Sequence, residues 1–104
     1  AVIAPDALAD MFESGVDSDP LVSAFGVADE TAVVRRIETI RTALELPTRL
    51  RDVVSVSGEP TDEAVERAIE EAAAATAADS LRGNTPAGYE LSESSATRVL
   101  TAAW

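Results

Sequence analysis

The sequence predicts an all-α fold, a helical bundle of about four to six helices in a single domain. Three observations carry that expectation. Apolar residues recur every three or four positions along nearly the whole chain. No segment alternates with period two for long enough to make a strand, and the short run Val53-Val54-Ser55-Val56 is the only candidate. Hydrophobic residues make up 46% of the 104 residues, too many for a disordered acidic segment. They are mostly alanine, valine, leucine and isoleucine, with only Phe12, Phe25, Tyr89 and Trp104 as aromatics. Small side chains bury little area each, so the core must come from close approach of helix to helix.

The first helix is expected over residues 4–14, with Leu8, Met11 and Phe12 facing inward and Asp6, Asp10 and Glu13 outward. Pro5 opens it or kinks it, and Gly15 stops it. Residues 16–20 form a turn, followed by a short element over 21–25 that ends at Gly26. Asp29 caps the next helix, with Glu30 in its first turn and Val33, Ile37, Ile40 and Leu44 on its apolar stripe. Arg35, Arg36, Glu38 and Arg41 belong to its wet side, and Pro47 ends it. Residues 48–53 can form a further short helical turn, and 57–60 a loop. Thr61 caps the third long helix, ahead of Asp62 and Glu63. Its inner face runs through Val65, Ala68, Ile69, Ala72, Ala73 and Ala75. Residues 82–91 form a loop. Ser92 then caps a last helix whose stripe is Ala96, Val99, Leu100, Ala103 and Trp104.

Charge narrows the partners. The net charge is −11, and all 8 basic residues are arginine. Such a field repels nucleic acid and anionic membranes on average. Self-repulsion of this size opposes compaction until salt screens it, at a Debye length of about 3 Å in molar salt. Excess carboxylate, absent lysine and small hydrophobes together look like the style of extreme halophiles; an ordinary acidic bacterial domain is the alternative. No signal peptide or membrane span stands out, so a cytoplasmic location is expected. The chain opens at Ala1 straight into an apolar run, which suggests a cut through a larger protein.

Candidate chemistry is sparse. Cysteine and histidine are both absent, which removes thiolate chemistry, the commonest general base and the commonest metal ligand. Asp6, Asp10 and Glu13 share a helical face and suit a hard cation, but with no loop to wrap it they make a solvated acidic face, as do Glu63, Glu66 and Glu70. Asp17-x-Asp19 opens like a calcium loop without the glycine and glutamate that complete one. Gly83 and Gly88 have the spacing of a phosphate-binding loop, yet Tyr89 and Glu90 follow where lysine and a hydroxyl residue belong. Arg49 and Arg51 suit an anion, or a structural pairing with Asp52 or a helix end. Trp104, at the end of an apolar stripe, is expected in the core. The residues alone describe an acidic helical domain with no catalytic, cofactor-binding or metal-binding set of its own.

One string adds more. Residues 44–53, Leu-Glu-Leu-Pro-Thr-Arg-Leu-Arg-Asp-Val, resemble the "G-L-P-T-R-L-R-D-hydrophobic" segment of iron-containing alcohol dehydrogenases and maleylacetate reductases. The flanks agree in order. Residues 1–5 resemble the family's "hydrophobic-hydrophobic-L-P-H" stretch after its last metal-binding histidine, and 21–27 its "L-A-x-A-L-G-V" element. A long acidic-to-alanine helix, a loop with asparagine and proline, and a terminal Ala-Ala-Trp complete the likeness over essentially the whole length. Departures from it matter too: Asp6 stands where the family has histidine, and Asn84-Thr85-Pro86 lacks the arginine of the family's Asn-Pro-Arg.

The resemblance implies the C-terminal part of the helical domain of a two-domain, NAD(P)-dependent, iron- or zinc-dependent oxidoreductase. The parent's N-terminal nucleotide-binding domain would be its partner. The metal, held by one aspartate and three histidines, acts there as a Lewis acid during hydride transfer to or from a nicotinamide. All those ligands and the pyrophosphate site would precede Ala1, leaving this segment inactive alone. Ser80 and Asn84 are the positions carried over, as residues lining the substrate cleft. The face left by the missing domain favours self-association into a homo-oligomer. The competing expectation is a free-standing acidic helical interaction module of a halophile.

Overall fold

A computed structural model describes residues 2–56, 58–78, 89–90 and 92–104. They form five α-helices and no strand: α1 (Ala4–Glu13), α2 (Asp19–Phe25), α3 (Glu30–Ala43), α4 (Asp62–Ala78) and α5 (Glu93–Ala103), with a single 3₁₀ turn at Leu50–Asp52. The all-α bundle expected from periodicity is the fold. Val53 to Val56 make no strand.

The starts follow local chemistry. Asp29 Oδ1 accepts from the Ala32 amide at 2.8 Å, Thr61 Oγ1 from Ala64 at 3.1 Å, and Ser92 Oγ from Ser95 at 3.1 Å. Pro5 and Pro20 sit in the first turns of α1 and α2, where a missing amide hydrogen costs nothing. The turn expected through Pro20 therefore stops earlier, because Asp19 and Pro20 already belong to α2.

The first three helices end alike. After α1, the Gly15 and Val16 amides donate to the Phe12 and Met11 carbonyls; after α2, Gly26 and Val27 donate to Ser23 and Val22. Both glycines have positive φ, 93° and 65°. After α3 the same pattern recurs, with Glu45 donating to Thr42 and Leu46 to Arg41, but its left-handed residue is Glu45, at φ 54°. The helix thus stops at Ala43, ahead of the end expected at Pro47; the wound-up backbone at Glu45 ends it before proline can.

Helix α1 packs between α3 and α5, α2 leans on α3, and α4 pairs with α5. The core is small. Its buried hydrophobics are Phe12, Val33, Ala73, Tyr89, Ala96, Val99 and Ala103, of which Val33 alone is a large side chain with under 2% exposure. The α3 stripe begins inside at Val33 and runs out into solvent, leaving Ile40 46% and Leu44 63% exposed. On α4, Ala73 is buried while Ala72 and Ala75 are exposed, so its inner stripe is Val65, Ala68, Ile69 and Ala73, narrower than expected. Alanine fixes no helical phase by itself, because it suits either face. No helix among the described residues is long and apolar enough to cross a membrane.

Candidate functional site

Two places bring polar chemistry together. The first joins α1 to α5. Asp10, expected outward, is turned in and 7% exposed. Tyr89 donates its hydroxyl to Asp10 Oδ2 at 2.9 Å, and Arg98 Nε donates to Oδ1 at 2.9 Å. Arg98 also reaches the Ser94 and Ser95 hydroxyls, at 2.9 and 3.0 Å. A carboxylate can enter the protein when donors saturate both its oxygens. Burial raises the Tyr89 hydroxyl above its ordinary pKa, and the hydrogen bond to Asp10 with its negative charge adds to that. The same hydrogen bond and charge keep Arg98 more firmly protonated. A tyrosine held neutral beneath a carboxylate is a tie between helices. It is not an activated acid or nucleophile, which would need its pKa lowered toward neutrality.

At the other end of α1, the Arg41 guanidinium donates Nη1 to the Val2 carbonyl at 3.1 Å, and its Nε is buried without a hydrogen-bond partner among the described residues. Arg41 thus leaves the wet side, where its neighbours Arg35, Arg36 and Glu38 stay. Burial raises the Asp6 carboxyl pKa, Arg41 and Arg49 pull it down, and Glu38 pushes it up. Arg49 and Arg51 form no ion pair with Asp52; among the described residues the ion pair is Arg98–Asp10.

The second place is an open groove of about 900 Å³ between α4, α5 and the segment before α4. Val65 and Ile69 give its apolar floor along α4, Val54 and Val56 line the facing segment, and Trp104 closes the α5 side. Trp104 is therefore only partly buried and lines a groove, not the centre of a core. Asp62, Glu66 and Glu70 follow the apolar row along α4, and Asp52 lines the groove as well. Among the described residues, Arg51 is the one cation in the lining. No motif announces this groove, because its walls come from three separate stretches of chain. Its only signal in the sequence is the interleaving of Asp62, Glu66 and Glu70 with Val65 and Ile69 at helical spacing.

Ser80 and Asn84, the cleft positions carried over by resemblance, lie outside the described residues. Among the described residues, no group of three or more histidines, cysteines, aspartates or glutamates is placed to hold a metal ion. In comparison with known proteins, no family model, no curated protein and no solved structure matches the chain.

Proposed function

We propose that the chain is the C-terminal helical subdomain of a metal-dependent, NAD(P)-linked alcohol dehydrogenase-like oxidoreductase, bracing the metal site and closing the substrate cleft of its parent. The observation that carries this reading is the backbone at Glu45. The family string opens with glycine at the position Glu45 occupies, and Glu45 is the non-glycine residue with positive φ among the described residues. Left-handed backbone is where glycine is favoured. A left-handed turn at the position where the family string has glycine is the support that the backbone lends to this reading.

The surface around the string supports the same reading. Leu44, Leu46, Val53 and Val54 are 38–63% exposed, with Ile40 on the adjoining turn of α3. The exposed apolar side chains suit a helical layer that completes its burial against the nucleotide-binding domain of the same parent chain. This chain's own residues do not fit the metal ion: histidine is absent, and no acidic trio converges among the described residues. The ion and NAD(P) are assigned to the parent, and no catalytic step to this segment.

The test is the whole reading frame, expressed and assayed for NAD(P)H-dependent carbonyl reduction with iron(II) or zinc. Turnover that a chelator abolishes is expected. A frame that starts with methionine directly ahead of Ala1 and adds no further domain sinks the proposal, and leaves a free-standing acidic interaction module. The acid-edged groove is the feature that favours that second reading.

A further inference from the structure

We propose that the groove lined by α4, α5 and residues 51–56 and 58–60 is the docking site of a basic amphipathic helix from another polypeptide. The inference does not rest on the dehydrogenase reading: Val54 borders both surfaces, but the carboxylates and Trp104 that carry the argument belong to the groove alone.

The argument is one of matched ladders. Along α4, Val65 and Ile69 form an apolar row on the groove floor, and Asp62, Glu66 and Glu70 form a parallel acidic row at its edge. Four residues of α-helix rise about 6 Å, so each row repeats at that pitch. A second helix laid along the groove offers side chains at the same pitch on a stripe that is apolar along its centre and charged along one margin. Lysine or arginine every fourth residue on that margin would meet the three carboxylates in turn. Across the groove, Thr97, Thr101 and Trp104 share one face of α5, and the indole supplies a broad apolar surface beside a basic margin.

Charge selects the occupant. Among the described residues, four carboxylates against one arginine give the lining a strong negative excess. A second copy of this chain, itself at −11, would oppose carboxylates to carboxylates and is disfavoured. Nucleic acid and anionic lipid are repelled for the same reason. The apolar floor in turn distinguishes a helix from a bare polycation, which would leave Val65, Ile69 and Trp104 wet.

Trp104 is the chain's one tryptophan and reports on the groove directly. The experiment titrates the full chain, at a potassium chloride concentration where circular dichroism shows it folded, with a synthetic peptide of about five helical turns. The peptide carries a leucine face flanked by arginine every fourth residue, and its control carries glutamate in place of arginine on the same leucine face. Saturable change in tryptophan emission is expected with the basic peptide alone, weakening as salt is added. Glu66→Gln with Glu70→Gln should weaken it about tenfold. Both positions are exposed, so helical content should stay the same. The proposal is overturned by an unchanged emission, by equal binding of the acidic peptide, or by a double variant that binds as tightly as the parent. It is overturned too if spermine alone reproduces the emission change with the same dependence on Glu66 and Glu70, for the groove would then take a small polycation.

Discussion

Replacing Asp10 with alanine probes the tie between α1 and α5 most directly. Two opposing effects set its size. On the losing side, the Tyr89 hydroxyl is 2.9 Å from Asp10 Oδ2 in a buried setting, and a hydrogen bond to a charged group contributes about 1.5–3 kcal/mol. The Arg98 branch adds little, because that side chain is 55% exposed and water screens it. On the gaining side, Asp10 is near the C-terminal end of α1, where a negative charge opposes the helix dipole at about 0.3–1 kcal/mol. Alanine also forms helix better than aspartate, by up to about 0.7 kcal/mol. The losses win, and the expected net destabilisation is about 1–2 kcal/mol. Urea unfolding followed by circular dichroism, with the slope unchanged, measures it. Tyr89→Phe should reproduce much of the same loss, while Arg98→Ala should cost less than either. A neutral or stabilising Asp10→Ala, or an Arg98→Ala that is the most damaging of the three, would refute the reasoning that burial and not the ion pair gives the tie its strength.

Further expectations follow from the same structure. Tyr89 is the single tyrosine, so tyrosinate absorbance titrates it alone, and its midpoint in the folded chain should lie above the ordinary value near 10. Because the folded pKa is raised, the stabilisation is whole below pH 10 and is lost as pH climbs through the higher folded value; Tyr89→Phe should remove that alkaline limb. Glu45→Gly should raise stability by about 0.5–1 kcal/mol in a thermal melt, since the backbone there is left-handed, whereas Glu45→Ala should bring no such gain. With a net charge of −11, the melting temperature should climb from low to molar potassium chloride, and a flat curve would contradict the screening argument.

What could be foreseen divides by the range of the interaction. Asp29, Thr61 and Ser92 cap their helices as expected, because a cap is settled within four residues of sequence. The helix count and the absence of strands follow from periodicity, which is also local. Asp10 was expected to face water. Its two partners are 79 and 88 positions away, and no local pattern announces them. Arg41 turns toward Val2 for a similar reason, across 39 positions. The end of α3 at Ala43 was hidden because glutamate, not glycine, takes the left-handed turn, and Pro47 was the only visible stop signal. The phase of the alanine-rich α4 could not be fixed from residues that tolerate either environment. The groove escaped notice because it belongs to a pairing of helices and to no single stretch.

The seam closed by Asp10, Tyr89 and Arg98 also bears on how the chain acquires its shape. Helices α4 and α5 form one group and α1, α2 and α3 another, while the contacts joining the groups bridge most of the polymer's length. Joining distant stretches carries the larger loop-closure cost, so the two groups should condense before they meet. Substitutions in the seam should then accelerate unfolding and leave the refolding rate nearly untouched, the kinetic mark of contacts made after the rate-limiting crossing.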